Sequence, residues 1–164
     1  MHRWSASQIG PNYRPLTKIT ITQLERTFRT NVITNFWLTR AAIPILSRGG
    51  SILFTTSGMF ENSNAALPDH GASKAVVPHM TSSFARHLVP NGILVNAVQS
   101  ALTFSPFLPT QGLMTEMLPL GVELSFYGRL AQTADLAPLC VSLADPNATY
   151  TNGNVYTASG GISF

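Results

Sequence analysis

Apolar residues recur at helical spacing between about Thr22 and Leu46: Leu24, Phe28, Val32, Phe36 and Leu38, then Ile43 and Ile45. Thr22 followed three residues later by Glu25 has the form of a capping box, and Gly49-Gly50 ends the pattern. A helix over about 22–46 is predicted. The next run, residues 51–56, is short, apolar and β-rich, which predicts a buried strand ending at Ser57-Gly58. After a loop over 59–69 a second helix is predicted over about 71–89. Pro78 lies inside it, where its missing N–H frees the carbonyl of Lys74. Pro90-Asn91-Gly92 closes that helix, and residues 93–98 read as a second buried strand. A shorter helix over 133–143, starting on Thr133, and a third strand over 154–157 complete the pattern. Alternation of helix and strand implies an α/β fold with right-handed crossovers and three parallel strands.

The 164 residues read as one domain in four stretches. Residues 1–19 form a polar arm, 20–98 a core carrying the candidate chemistry, 99–128 an apolar lid, and 129–164 the last helix and strand. The lid is rich in Pro, Phe, Met and Gly. Charged residues make up only 10%, against roughly 25% in ordinary soluble domains. Such a surface is covered by uncharged polar side chains or partly buried against another chain. The net charge of +3 comes from scattered arginines and two lysines, Lys18 and Lys74. With no basic run, a nucleic-acid partner is excluded. A single cysteine, Cys140, excludes a disulfide framework and a CxxC metal site, and no metal ligand set is recognisable. No apolar run approaches the ~18 residues of a membrane span, and the opening residues lack a signal-like apolar segment. A cytoplasmic protein is expected.

Five motifs stand in a telling order. Ser57 ends the first strand. His70-Gly71-Ala72-Ser73-Lys74 opens the second helix. Ile93-Leu94-Val95-Asn96-Ala97-Val98 comes next; Gly128-Arg129-Leu130 with Asp135-Leu136-Ala137, and Gly153-Asn154-Val155-Tyr156 before Gly160-Gly161, follow. This pattern resembles the C-terminal half of a classical short-chain dehydrogenase/reductase. Arg29-Thr30-Asn31 and Phe36-Trp37-Leu38-Thr39 on the first helix give the branch similar to glucose/ribitol dehydrogenases. The resemblance covers roughly residues 10–161 and implies a partial Rossmann-like, three-layer fold. It matches Ser57, Lys74 and Asn31 to the family's catalytic serine, lysine and helix asparagine.

The departures from the family shape the expected function. No Gly-rich phosphate loop occurs, so the resemblance implies a chain shortened at its N-terminus, with only half a dinucleotide site. The family's tyrosine, four residues before the lysine, is replaced by His70. Ser100-Ala101 stands where a Pro-Gly pair borders the nicotinamide. The expectation is therefore no cofactor, with NAD(P) binding lost.

His70 and Lys74, four apart, share one helix face. The ammonium favours a neutral imidazole, lowering it from about 6.5. A neutral imidazole is a competent base, Ser57 can hydrogen-bond a substrate oxygen, and Lys74 can stabilise a developing enolate. The catalytic candidates are thus His70, Ser57, Lys74 and Asn31. Phe104, Phe107, Met114, Met117, Phe126 and Tyr127 are candidate walls of a pocket for a hydrophobic small molecule. The expected activity is cofactor-independent isomerisation, dehydration or cyclisation. Two alternatives stand beside it: an NAD(P)-dependent oxidoreductase whose nucleotide site another chain completes, and a non-catalytic partner of a full-length relative. His70 as an inert remnant, and the lid as a cover for the sheet, remain open readings. The resemblance also implies a homodimer or higher oligomer, built on helices 22–46 and 71–89 or on the free edge of the first strand.

Overall fold

The structure, a computed structural model, describes residues 16–58, 67–110 and 114–162. The expected arm over 1–19 therefore falls mostly outside the described residues.

The first helical stretch is built in pieces: α1 (Ile21–Phe28), a π-helical segment (Arg29–Ile33), α2 (Thr34–Ala42) and a short turn ending at Ile45. Its cap is Thr20, not Thr22. Thr20 has the extended backbone an N-cap needs, and its hydroxyl accepts from the Gln23 N–H at 3.1 Å. The apolar stripe that predicts this helix is not the face it buries. Thr27, Asn31 and Thr39 are buried, whereas Leu24, Ile33, Phe36, Trp37 and Leu38 are exposed.

Polar pairing explains that rotation. In α3 (Pro68–Leu88), Asp69 and Ser73 are spaced like Thr27 and Asn31 opposite them. The Thr27 hydroxyl donates to Asp69 Oδ2 at 2.9 Å, and Asn31 Nδ2 donates to Ser73 Oγ at 2.8 Å. The two helices thus meet along a polar seam, with the π-helical segment placing Asn31 on it.

Three strands form a parallel sheet in the order β1 (Ser51–Ser57), β2 (Leu94–Ser100), β5 (Val155–Ala158). The register sets Ser57 opposite Ser100, and Ser100 opposite Ala158, at the C-terminal edge. Helices cover both faces, as apolar β2 requires. On one side Phe54, Val95 and Ala97 pack with Val77, Met80, Ala85 and Leu88 of α3. On the other, Val98 and Leu53 pack with Leu136 and Leu143 of α6 (Thr133–Ala144). The architecture is the expected α/β, Rossmann-like fold with parallel strands and long helices. Among the described residues no strand pairs with the outer edge of β1.

The stretch read as a lid has more order than its composition suggests. It holds β3 (Thr103–Phe104), α4 (Phe107–Thr110) and α5 (Met114–Leu124), and β3 pairs in parallel with β4 (Ala131–Gln132). Leu67, Leu108 and Leu130 make a small separate core beneath it. The helix α6 starts one residue after its cap: Gln132 and Asp135 form a reciprocal capping box.

Candidate functional site

The C-terminal edge of a parallel sheet is where α/β folds bind small ligands, because strand ends and helix N-termini converge there. Here that edge carries Ser57 and Ser100 side by side, and the first turns of α3 bring up His70 and Lys74. Pro68 at the first helical position starts α3 three residues earlier than its sequence pattern suggests, which places His70 within the helix.

Lys74 is buried, with 6% of its surface exposed, and its Nζ donates to the Thr55 carbonyl of β1 at 3.1 Å. Burial lowers its pKa from 10.5 to about 8. That carbonyl is its one hydrogen-bond acceptor among the described residues. His70 is 7% exposed, and its ring lies 6.0 Å from that of Phe107, tilted by 30°. Its pKa is lowered from 6.5 to about 4. Burial is the largest cause, the Lys74 charge adds to it, and Asp69 opposes. The imidazole is neutral at physiological pH, in the direction expected, although desolvation outweighs the neighbouring lysine.

The structure brings His70, Lys74 and Phe107 together and places Ser57 at the adjoining strand end. Asn31 is fully buried and bonds to Ser73, and through the Ser73 hydroxyl to the His70 carbonyl at 2.7 Å. It braces the turn that carries His70. Phe104 is exposed, and Phe126 and Tyr127 stand in solvent with 84% and 72% of their surfaces open. These three are not gathered around His70. The side chains of Met114 and Met117 lie outside the described residues. Among the described residues no group of three or more His, Cys, Asp or Glu side chains could hold a metal ion. None of the described helices is long and apolar enough to cross a membrane.

Two features escape the sequence reading. Asp69 is a buried carboxylate beside the candidate base; it accepts from Thr27 and, at 3.2 Å, from Gln23 Nε2. Thr56, also buried, donates its hydroxyl to the Lys74 carbonyl at 3.0 Å. Pro78 signals the second feature, since it frees that carbonyl, but only the fold names the donor.

Residues 5–163 match the family model described as enoyl-(acyl carrier protein) reductase. The chain belongs to the short-chain dehydrogenase/reductase family. It is 34% identical over 146 residues to the oxidoreductase YhxC of Bacillus subtilis, covering 89% of this chain and 51% of that protein. It is also 34% identical over 140 residues to the NADPH-dependent aldehyde reductase 1 of Arabidopsis thaliana chloroplasts, covering 85% of this chain and 48% of that one. The fold superimposes with a TM-score of 0.84 on a blue fluorescent protein from a metagenomic library, solved in complex with NADPH. That match has 27% identity and covers 95% of this chain and 62% of the other. The chain thus spans about half the length of the curated relatives it matches.

These matches overturn two expectations, a cofactor-independent isomerase, dehydratase or cyclase and the absence of a cofactor. Both rested on a phosphate loop missing from these 164 residues, together with His70 in place of a tyrosine and Ser100-Ala101 in place of Pro-Gly. A stretch matching half of its relatives says nothing of what the other half carries. The named relatives are oxidoreductases, one NADPH-dependent, and the solved neighbour holds NADPH.

The donor set is compatible with one end of a nicotinamide nucleotide. An ammonium has three donor hydrogens, and Lys74 directs one at Thr55. The remaining two suit vicinal hydroxyls such as those of a ribose at the sheet edge. The residues present fit the nicotinamide-riboside end. A glycine-rich turn for the pyrophosphate is not among these 164 residues.

Proposed function

We propose that this chain forms the nicotinamide and substrate side of an NAD(P)-dependent oxidoreductase acting on a carbonyl or alcohol. The pyrophosphate side of the nucleotide site comes from polypeptide beyond these residues. The observation that carries the reading is the buried Lys74 ammonium, held by one carbonyl at the mouth of the parallel sheet next to a neutral His70.

When bound, the nicotinamide supplies or accepts the hydride. Lys74 donates hydrogen bonds to the ribose hydroxyls. Ser57 holds the substrate oxygen, and His70, standing at the position of the family's tyrosine, exchanges the proton with that oxygen. An imidazole with a pKa of about 4 is overwhelmingly neutral at neutral pH. It accepts a proton from an alcohol over a broad pH range. It donates one to a carbonyl only where imidazolium is populated. Reduction is therefore expected to slow by about tenfold per pH unit above the His70 pKa. His70→Tyr, which restores a phenol, is expected to remove that slope.

The same reading includes a hydrophobic substrate, because Phe107, which packs on the Leu67–Leu108–Leu130 core, lies beside His70. It includes pairing with a second copy through the apolar, outward face of α1 and α2, where Phe36 and Trp37 are 49% and 58% exposed. A cytoplasmic location, where a thiol such as Cys140 stays reduced, belongs to it too.

The direct test uses the half-nucleotide that these residues would hold. Reduced nicotinamide mononucleotide is titrated into protein carrying 13C-labelled lysine. With only Lys18 and Lys74 present, the two side-chain signals are separable, and Lys18→Arg assigns them. Saturable movement of the Lys74 signal alone supports the reading. No movement up to about 10 mM, a free energy of binding weaker than about 3 kcal/mol, refutes it.

A further inference from the structure

We propose that Thr56 is a positioning residue for Lys74, acting through the backbone carbonyl that Pro78 leaves without a helical donor. The inference rests on Lys74 serving as the nucleotide-holding group.

In an uninterrupted helix the carbonyl of residue 74 would accept from the N–H of residue 78. Proline has no N–H, and its ring crowds the carbonyl four residues earlier, so that carbonyl must find a donor elsewhere or stay unpaired in the interior. Lys74 and Thr56 are both buried, at 6% and 1% exposure. The Thr56 hydroxyl supplies the missing donor at 3.0 Å. One residue earlier on β1, the Thr55 carbonyl accepts from Lys74 Nζ at 3.1 Å.

Lys74 is thereby held to the same strand at both ends, its backbone by Thr56 and its ammonium by Thr55. Two contacts from adjacent strand residues set both the distance of α3 from β1 and the direction of the lysine side chain. Without the first, the helix turn carrying Lys74 is free to move off the strand. Its ammonium then exchanges the Thr55 carbonyl for water. Thr56, closed off from solvent with its hydroxyl on the Lys74 carbonyl, acts by fixing where Lys74 stands.

The device makes a linked prediction, because the role of Thr56 depends on Pro78. Replacing Pro78 by alanine returns an N–H to the helix and satisfies the Lys74 carbonyl from within. The hydroxyl of Thr56 then becomes dispensable. This dependence separates positioning from ordinary core packing, for which the two residues would act independently.

The experiment follows the pH midpoint of the Lys74 13Cε signal in the nucleotide-free protein, with Lys18 as internal reference. Burial holds that midpoint near 8 in the unaltered chain. Thr56→Val is expected to raise it by about half a pH unit or more as the ammonium gains water. Thr56→Ser, which keeps the hydroxyl, restores it. In the Pro78→Ala background, Thr56→Val is expected to leave the midpoint where Pro78→Ala alone sets it. An unchanged midpoint in Thr56→Val, or an equal rise in both backgrounds, overturns the proposal.

Should Thr56→Val not fold, the Thr56→Val/Pro78→Ala double variant is expected to fold, and its failure to do so overturns the proposal as well. No nucleotide enters these titrations. A failure here leaves nucleotide binding by Lys74 standing, and a failure of the mononucleotide titration leaves the Thr56–Pro78 linkage standing.

Discussion

His70 offers a stability measurement that needs no substrate. Its pKa is about 6.5 in an unfolded chain and about 4 in the fold, where burial and the Lys74 charge disfavour the imidazolium. Between those values the unfolded chain binds more protons than the folded one, so stability falls as the pH drops from about 6.5 towards 4. The full difference, ~2.5 pH units, corresponds to about 3 kcal/mol. Only a small part of the loss is felt at pH 7, and about 2 kcal/mol of it at pH 5. The assay is urea unfolding at several pH values between 7.5 and 4.5, with His70→Gln as comparison. The unaltered chain is expected to lose about 2 kcal/mol more than the variant between pH 7 and pH 5. Subtracting the variant removes the contribution of the carboxylates, which titrate in both proteins. Parallel profiles would refute the reasoning, since they would mean that His70 titrates in the fold as it does in the open chain.

Lys74 follows the same rule at higher pH: its folded pKa near 8 lies below the usual 10.5, so the cost of burying its charge is fully present at neutral pH and is relieved as the pH rises through about 8 to 10.5. Lys74→Met is expected to raise stability by about 1–3 kcal/mol at pH 7, read by denaturant midpoint. Unchanged or lower stability would show that the Thr55 bond outweighs the burial cost. At Gly161 the backbone has φ of 86°, and a Cβ there would run into the Phe126 ring. Gly161→Ala is expected to cost about 1–2 kcal/mol in thermal unfolding and to displace Phe126. A neutral result would mean that the C-terminal turn shifts freely.

The order of elements and the parallel strands were legible in the chain because both signals are local. Buried strands show as continuous apolar runs, and Gly49-Gly50, Gly92 and Gly160-Gly161 punctuate them. The family and the neutral state of His70 were likewise within reach. Function was misread because the missing phosphate loop was taken as a property of the whole protein. The small strand β3 of the lid and its partner β4 were missed because each is two residues long and draws its stability from the other, at a distance no local pattern records.

Sequence by itself determined the class of fold, the helix that carries His70 and Lys74, and the carbonyl that Pro78 leaves bare. Tertiary structure alone decided which side of each helix faces inward. Along the first helical stretch Leu24, Phe36 and Leu38 of the apolar stripe are exposed, Phe28 and Val32 are half-buried, and Thr27, Asn31 and Thr39 are buried. A buried polar group is tolerated where a partner meets it, and Asp69 and Ser73 meet the first two across the seam. It also decided that Thr56 answers the bare carbonyl and that Lys74 loses its water. Hydrogen-bond partners so far apart in the chain are set only when strand and helix pack.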